Sequence, residues 1–96
     1  MIAIREKKRF LLGRVVITPP AEALLREAGK SHQEFLDRHA AGDWGDIPGD
    51  DWANNDDGID SKGMLHSAYK VRGQDCIRII TESDRSATTI LLPDDY

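Results

Sequence analysis

The hydrophobic pattern changes period along the chain. Residues 10–17, FLLGRVVI, are apolar and β-branched and stop at Thr18-Pro19-Pro20. That run predicts a strand ended by prolines, which have no N–H to give a sheet ladder, and Gly13 inside it marks a site for a bulge. Ala21, Leu24, Leu25 and Ala28 then recur at helical spacing. Thr18 is placed as the N-cap, Glu22 supports the first turn and Gly29 stops the helix. Ser31, with Glu34 three residues on, forms a capping box for a second helix running to about Ala41. Phe35, Leu36 and His39 lie on its inner stripe, Gly42 ends it, and the two helices make a hairpin. From Met64 the period becomes two. Leu65, Ser67, Tyr69 and Val71 alternate with His66, Ala68, Lys70 and Arg72. Cys76–Glu82 carries the apolar run Ile77, Ile79, Ile80, and Ser86–Leu92 is the last strand before Pro93.

Between hairpin and strands the pattern breaks down. Gly42, Gly45, Pro48, Gly49, Gly58 and Gly63 punctuate a segment that predicts mostly loop, with one helical turn near Asp50–Asn55. The expected fold is therefore α+β. It has one N-terminal strand, a two-helix hairpin, an acidic loop over 43–63 and a three-stranded antiparallel β-meander packed on the helices. Ninety-six residues make one domain, 1–96, with one modest core.

Charge makes the loop the most informative segment. From Asp43 to Asp60 there are seven aspartates and no Lys or Arg, together with both tryptophans, Trp44 and Trp52. Such a field repels nucleic acid and attracts basic protein surfaces or cations. Tryptophan is the residue type most enriched at binding hot spots. Trp44, between Gly42 and Gly45, reads as a core anchor; Trp52 reads as the exposed one. A net charge of −4 argues against direct nucleic-acid binding, which favours a basic face. The opposite charge sits in a basic arm, residues 1–9, extended by Arg14; the arm meets the acidic segment within one molecule or between copies, or is simply solvated. With Cys76 as the single cysteine, no apolar run of membrane-spanning length and no apolar leader, the expected setting is the reducing cytoplasm, without a membrane or an internal disulfide.

Specific chemistry is sparse. Asn54, Asn55, Asp56, Asp57, Gly58 and Asp60 resemble part of a calcium loop. Ala53 and Met64, however, stand where an EF-hand needs its first and last ligands, so no metal or cofactor is expected. His32 and His39 lie seven apart on one helix face, about 10–11 Å along the axis and too far to chelate one zinc ion. Tyr69, Arg72, Arg78, Arg85 and His66 form a second constellation. On a helix-plus-sheet frame they match the residue types of a ribonuclease, a proton-transfer pair and a cation for phosphate. The plainer alternative is that these arginines pair with Glu82, Asp84 and Asp75.

The run SAYKVRGQDCIRIITESDRSATTILLPDDY, with GRVVITP and HAAGDWGD, resembles a family of short proteins carried on plasmids and integrated elements of proteobacteria. Its members tend to be labelled plasmid-related or, loosely, as a type I restriction methylase (M) subunit. The similarity spans about Leu12 to Tyr96. The chain is too short for a methyltransferase fold and has no glycine-rich cofactor loop, so the resemblance implies context: accessory cargo of mobile DNA. In that context the expected function is a small acidic, non-enzymatic module. It would block a host defence complex in the anti-CRISPR or anti-restriction manner. Asp46, Asp50, Asp51, Asp56, Asp57 and Asp60 would meet the basic surface of a nucleic-acid-handling partner, and Trp52 would be the apolar anchor. The alternatives are a small ribonuclease toxin and a homo-oligomeric regulatory or structural protein, for which the exposed edge of a short sheet offers strand pairing between copies.

Overall fold

The computed structural model describes residues 8–95, so most of the expected basic arm lies outside the described residues. The fold is α+β, with three helices and a four-stranded mixed sheet. Strand β1 is Arg14–Ile17, α1 Pro19–Glu27, α2 His32–Ala40, α3 Gly49–Ser61, β2 Leu65–Arg72, β3 Asp75–Thr81 and β4 Ala87–Leu91. The sheet order is β1-β4-β3-β2: β2, β3 and β4 form the antiparallel meander, and β1 adds to β4 in parallel.

The helix caps follow the sequence. The Thr18 hydroxyl accepts from the Ala21 N–H, the Ser31 hydroxyl accepts from Gln33 N–H, and Gly29 and Gly42 take positive φ just past α1 and α2. Two expectations are corrected. The first strand begins at Arg14, not Phe10: Gly13 turns at φ +65°, where a side chain would collide with the Arg85–Ser86 backbone. The acidic loop is not mainly loop. Residues 49–61 form a continuous α-helix.

The alternation in the strands separates two faces. Leu65, Ser67, Tyr69 and Val71 of β2, Ile77, Ile79 and Thr81 of β3, and Thr88 and Ile90 of β4 all point to one buried face. Most of these side chains pack with Leu12, Ala21, Leu25, Phe35, Leu36 and Ala40 in one core. The opposite face carries His66, Ala68, Arg78, Ile80, Thr89 and Leu91, since residues paired across a sheet share a face. Among the described residues no helix is long and apolar enough to cross a membrane.

Candidate functional site: an acidic helix along one sheet edge

By composition, α3 is a poor helix. It carries five aspartates, two asparagines, two glycines and no basic residue, and the carboxylates of Asp57 and Asp60 sit near its negative C-terminal end. Asp50 and Asp51 favour its first turn through the helix dipole. The rest of its support is tertiary. The Arg85 guanidinium donates to the carbonyls of Gly58 (2.8 Å) and Gly63 (2.6 Å), adding a second cation beside the C-cap residue Lys62. Asp56 accepts from the Trp44 indole N–H at 3.0 Å, and the Trp52 indole donates to the Gly45 carbonyl at 3.1 Å. Asn55 is buried; its amide donates to the His66 carbonyl (2.7 Å) and its oxygen accepts from the His66 N–H (3.3 Å). A side-chain amide here pairs with β2 as another strand's backbone would. Beside it, Ala68 donates to the Trp44 carbonyl and accepts from the Asp46 N–H, and Gly45 at φ +75° comes so close to the Ala68 carbonyl that a side chain there would overlap it.

This architecture sorts the expected site residues. Asp46, Asp50, Asp51, Asp57 and Asp60 are exposed; the charge of Asp51 acts on His66 and that of Asp46 on Arg38. Asp56 is partly engaged by Arg9, at 3.6 Å, and by Trp44. Asp43, outside that set, pairs with Arg38 at 2.7 Å, which raises the Arg38 pKa. Trp44 is the buried anchor expected. Trp52 differs from expectation: it is half-buried, and its indole N–H donates to the Gly45 carbonyl, which ties helix to loop. Among the described residues no three His, Cys, Asp or Glu groups are placed to hold a metal ion.

The ribonuclease constellation does not converge. Tyr69 is buried on the inner face, donates to the Asp43 carbonyl and has its pKa raised by burial. Arg72 pairs with Glu27 and Asp75 at the far end of β2. Arg85 is the α3 cap. His66 and Arg78 are diagonal neighbours on the opposite face of the sheet, where burial and then Arg78 lower the His66 pKa.

Sequence reasoning missed a buried polar chain through the core. His39, Ser67, Thr81 and Thr88 are all fully buried. Their proton directions follow from one fixed end. A carbonyl only accepts, so the Thr88 hydroxyl donates to Leu12 C=O at 2.7 Å. Thr81 therefore donates to Thr88 (2.8 Å), His39 Nε2–H donates to Thr81 (2.9 Å), and Ser67 donates to the bare His39 Nδ1. Phe10 and Trp44 close on the imidazole edge-to-face, and burial, followed by the charges of His66 and Arg85, lowers the His39 pKa to about 3. A serine on a histidine resembles a nucleophile pair, but no substrate reaches a fully buried hydroxyl; the chain ties α2 to β2, β3 and β4. The sequence signal was present in the polar inward positions of strands that are otherwise apolar. Which of them meet was not.

Comparison with protein-family models, with curated proteins and with solved structures gives no match.

Proposed function

We propose that this protein is a non-enzymatic binding module whose outward face of α3 docks on a basic protein surface, blocking a nucleic-acid-handling complex in the cytoplasm. The observation that carries this reading is the placement of Asp50, Asp51, Asp57 and Asp60. They are exposed on one helix that carries no basic residue within its own length. Four carboxylates on a helix fixed by Arg85, Asn55 and Trp52 form a preordered array, which lowers the ordering cost of binding. Asp46 extends it at the adjoining loop, and the half-buried Trp52 adds apolar contact within the same patch. The resemblance to mobile-element proteins read from the sequence makes a host defence complex, of the CRISPR or restriction kind, the proposed target. Tyr69, Arg72 and Arg85 lie apart from the neighbouring pair His66 and Arg78, which favours binding over the ribonuclease alternative, because phosphoryl chemistry needs its groups within hydrogen-bond reach of one bond.

The test is affinity capture from a bacterial lysate with the native chain and with the D50N/D51N/D57N/D60N variant. A basic nucleic-acid-handling protein retained by the first, released by salt and lost by the second is the expected outcome. Equal capture by both, or capture of nothing salt-sensitive, overturns the reading.

A further inference from the structure

The opposite edge of the sheet carries a second surface, independent of α3. In the parallel β1–β4 ladder Arg14 donates to the Ser86 carbonyl and Thr18 to the Ile90 carbonyl, so the even positions face β4. The N–H and C=O groups of Val15 and Ile17 consequently point away from the sheet, and among the described residues no backbone hydrogen bond outside the ladder engages them. The strand has no bulge, no internal proline and no central charge, so its shortness, four residues, is what protects it as an edge. Three of the four exposed large hydrophobic residues described, Leu11, Val15 and Val16, fall in this one stretch.

We infer that β1 pairs antiparallel with β1 of a second copy of this chain, giving a continuous eight-stranded sheet across a two-fold axis at Val16. The register follows from the free groups. Only a pairing of Val15 with the second copy's Ile17, and of Ile17 with its Val15, satisfies all four outward groups of each strand. This places Val16 against its own symmetry mate as a non-hydrogen-bonded pair, where side chains approach closest. The same register puts Arg14 of each copy opposite Thr18 of the other on the outer face. Thr18 donates to the Asp95 carboxylate at 2.9 Å, so each Arg14, which makes no ion pair among the described residues, arrives beside an acidic group. On the inner face Val15 lands next to Ile17 of the second copy. There a recess of about 240 Å³, lined in part by Ile17, Leu25 and Lys30, lies open between α1 and the start of α2. Backbone pairing and charge agree on one register, and a two-fold axis makes the strand its own complement.

Sedimentation equilibrium over a range of concentrations tests the pairing. The native chain is expected to pass from 10.7 kDa to twice that mass as concentration rises. Val16→Lys sets two ammonium groups face to face at the axis and is expected to stay monomeric, with the thermal melt that the native chain shows at high dilution. Arg14→Asp alone weakens the dimer several-fold, and the R14D/D95R pair regains affinity. In a C76S background, Val16→Cys is expected to form an intermolecular disulfide faster than Asp60→Cys, because the non-hydrogen-bonded geometry brings the two β-carbons within reach. A native chain that remains monomeric, a V16K variant that associates like the native chain, or equal cross-linking at positions 16 and 60 each overturns the inference.

Discussion

The two edges of this sheet are finished in opposite ways. At β2 the edge is closed twice, by the Asn55 amide on His66 and by the Trp44–Asp46 segment on Ala68. At β1 no backbone hydrogen bond among the described residues engages the outward groups of Val15 and Ile17, and Val15 and Val16 are exposed. A closed edge lets the chain present charge there without inviting strand addition, and the acidic helix doubles as the cover. The open edge invites addition by another strand. The lesson is one of division: the same sheet separates a surface that attracts by charge from one that attracts by backbone pairing.

The largest expected effect on this contrast comes from acid. His39 is held neutral in the fold, with its pKa lowered from 6.5 to about 3, while the unfolded chain takes up a proton near 6.5. The stabilisation is complete above that value and is lost as pH falls through the interval, by about 1.4 kcal/mol per pH unit. Chemical denaturation at stepped pH should show this slope, and His39→Gln should flatten it while lowering stability at neutral pH. Since His39 grips Ser67 in β2, hydrogen exchange should show the closed-edge strand opening in acid before β1 separates from β4.

Asn55→Ala comes next. It leaves the N–H and C=O of His66 without partners, costing about 2 kcal/mol at a half-buried edge. A thermal melt measures the loss, and Asn55→Asp should fall between the two because it keeps only the acceptor. If Asn55→Ala melts like the native chain, the claim that β2 is closed by this side chain is wrong.

Arg85→Gln should cost about 1–2 kcal/mol by removing the charge-assisted cap on Gly58 and Gly63. Faster amide exchange confined to 58–64 is the expected signature, with α1 and α2 unaffected. The smallest effect is that of salt. Screening the five aspartates of α3 should stabilise that helix by a few tenths of a kcal/mol, while any complex with a basic partner weakens. A helix destabilised by salt would mean that its aspartates are paired.

Much of the frame was legible from local rules. Thr18 and Ser31 cap their helices, Gly29 and Gly42 end them, and the three C-terminal strands lie within a residue or two of where alternation put them. The acidic segment was misjudged because its glycines, asparagines and aspartates all lower helix propensity, while the groups that sustain α3 lie far away in the sequence. Arg85 is 27 residues from Gly58, and its role as a cap leaves no mark on the helix itself. The same distance hid the chain from His39 to Thr88, whose members are 28, 42 and 7 residues apart at successive contacts.

The sequence alone determined the α+β class, the inward face of the meander, the two capped helices and a carboxylate-rich segment with no Lys or Arg between Asp43 and Asp60, because each depends on periodicity or on contacts a few residues apart. The tertiary structure alone decided that this segment is a helix, that Trp52 is pinned, and that β1 joins β4 to leave an open edge. Those outcomes rest on hydrogen bonds between residues distant in the chain, and no local pattern encodes which distant groups will meet.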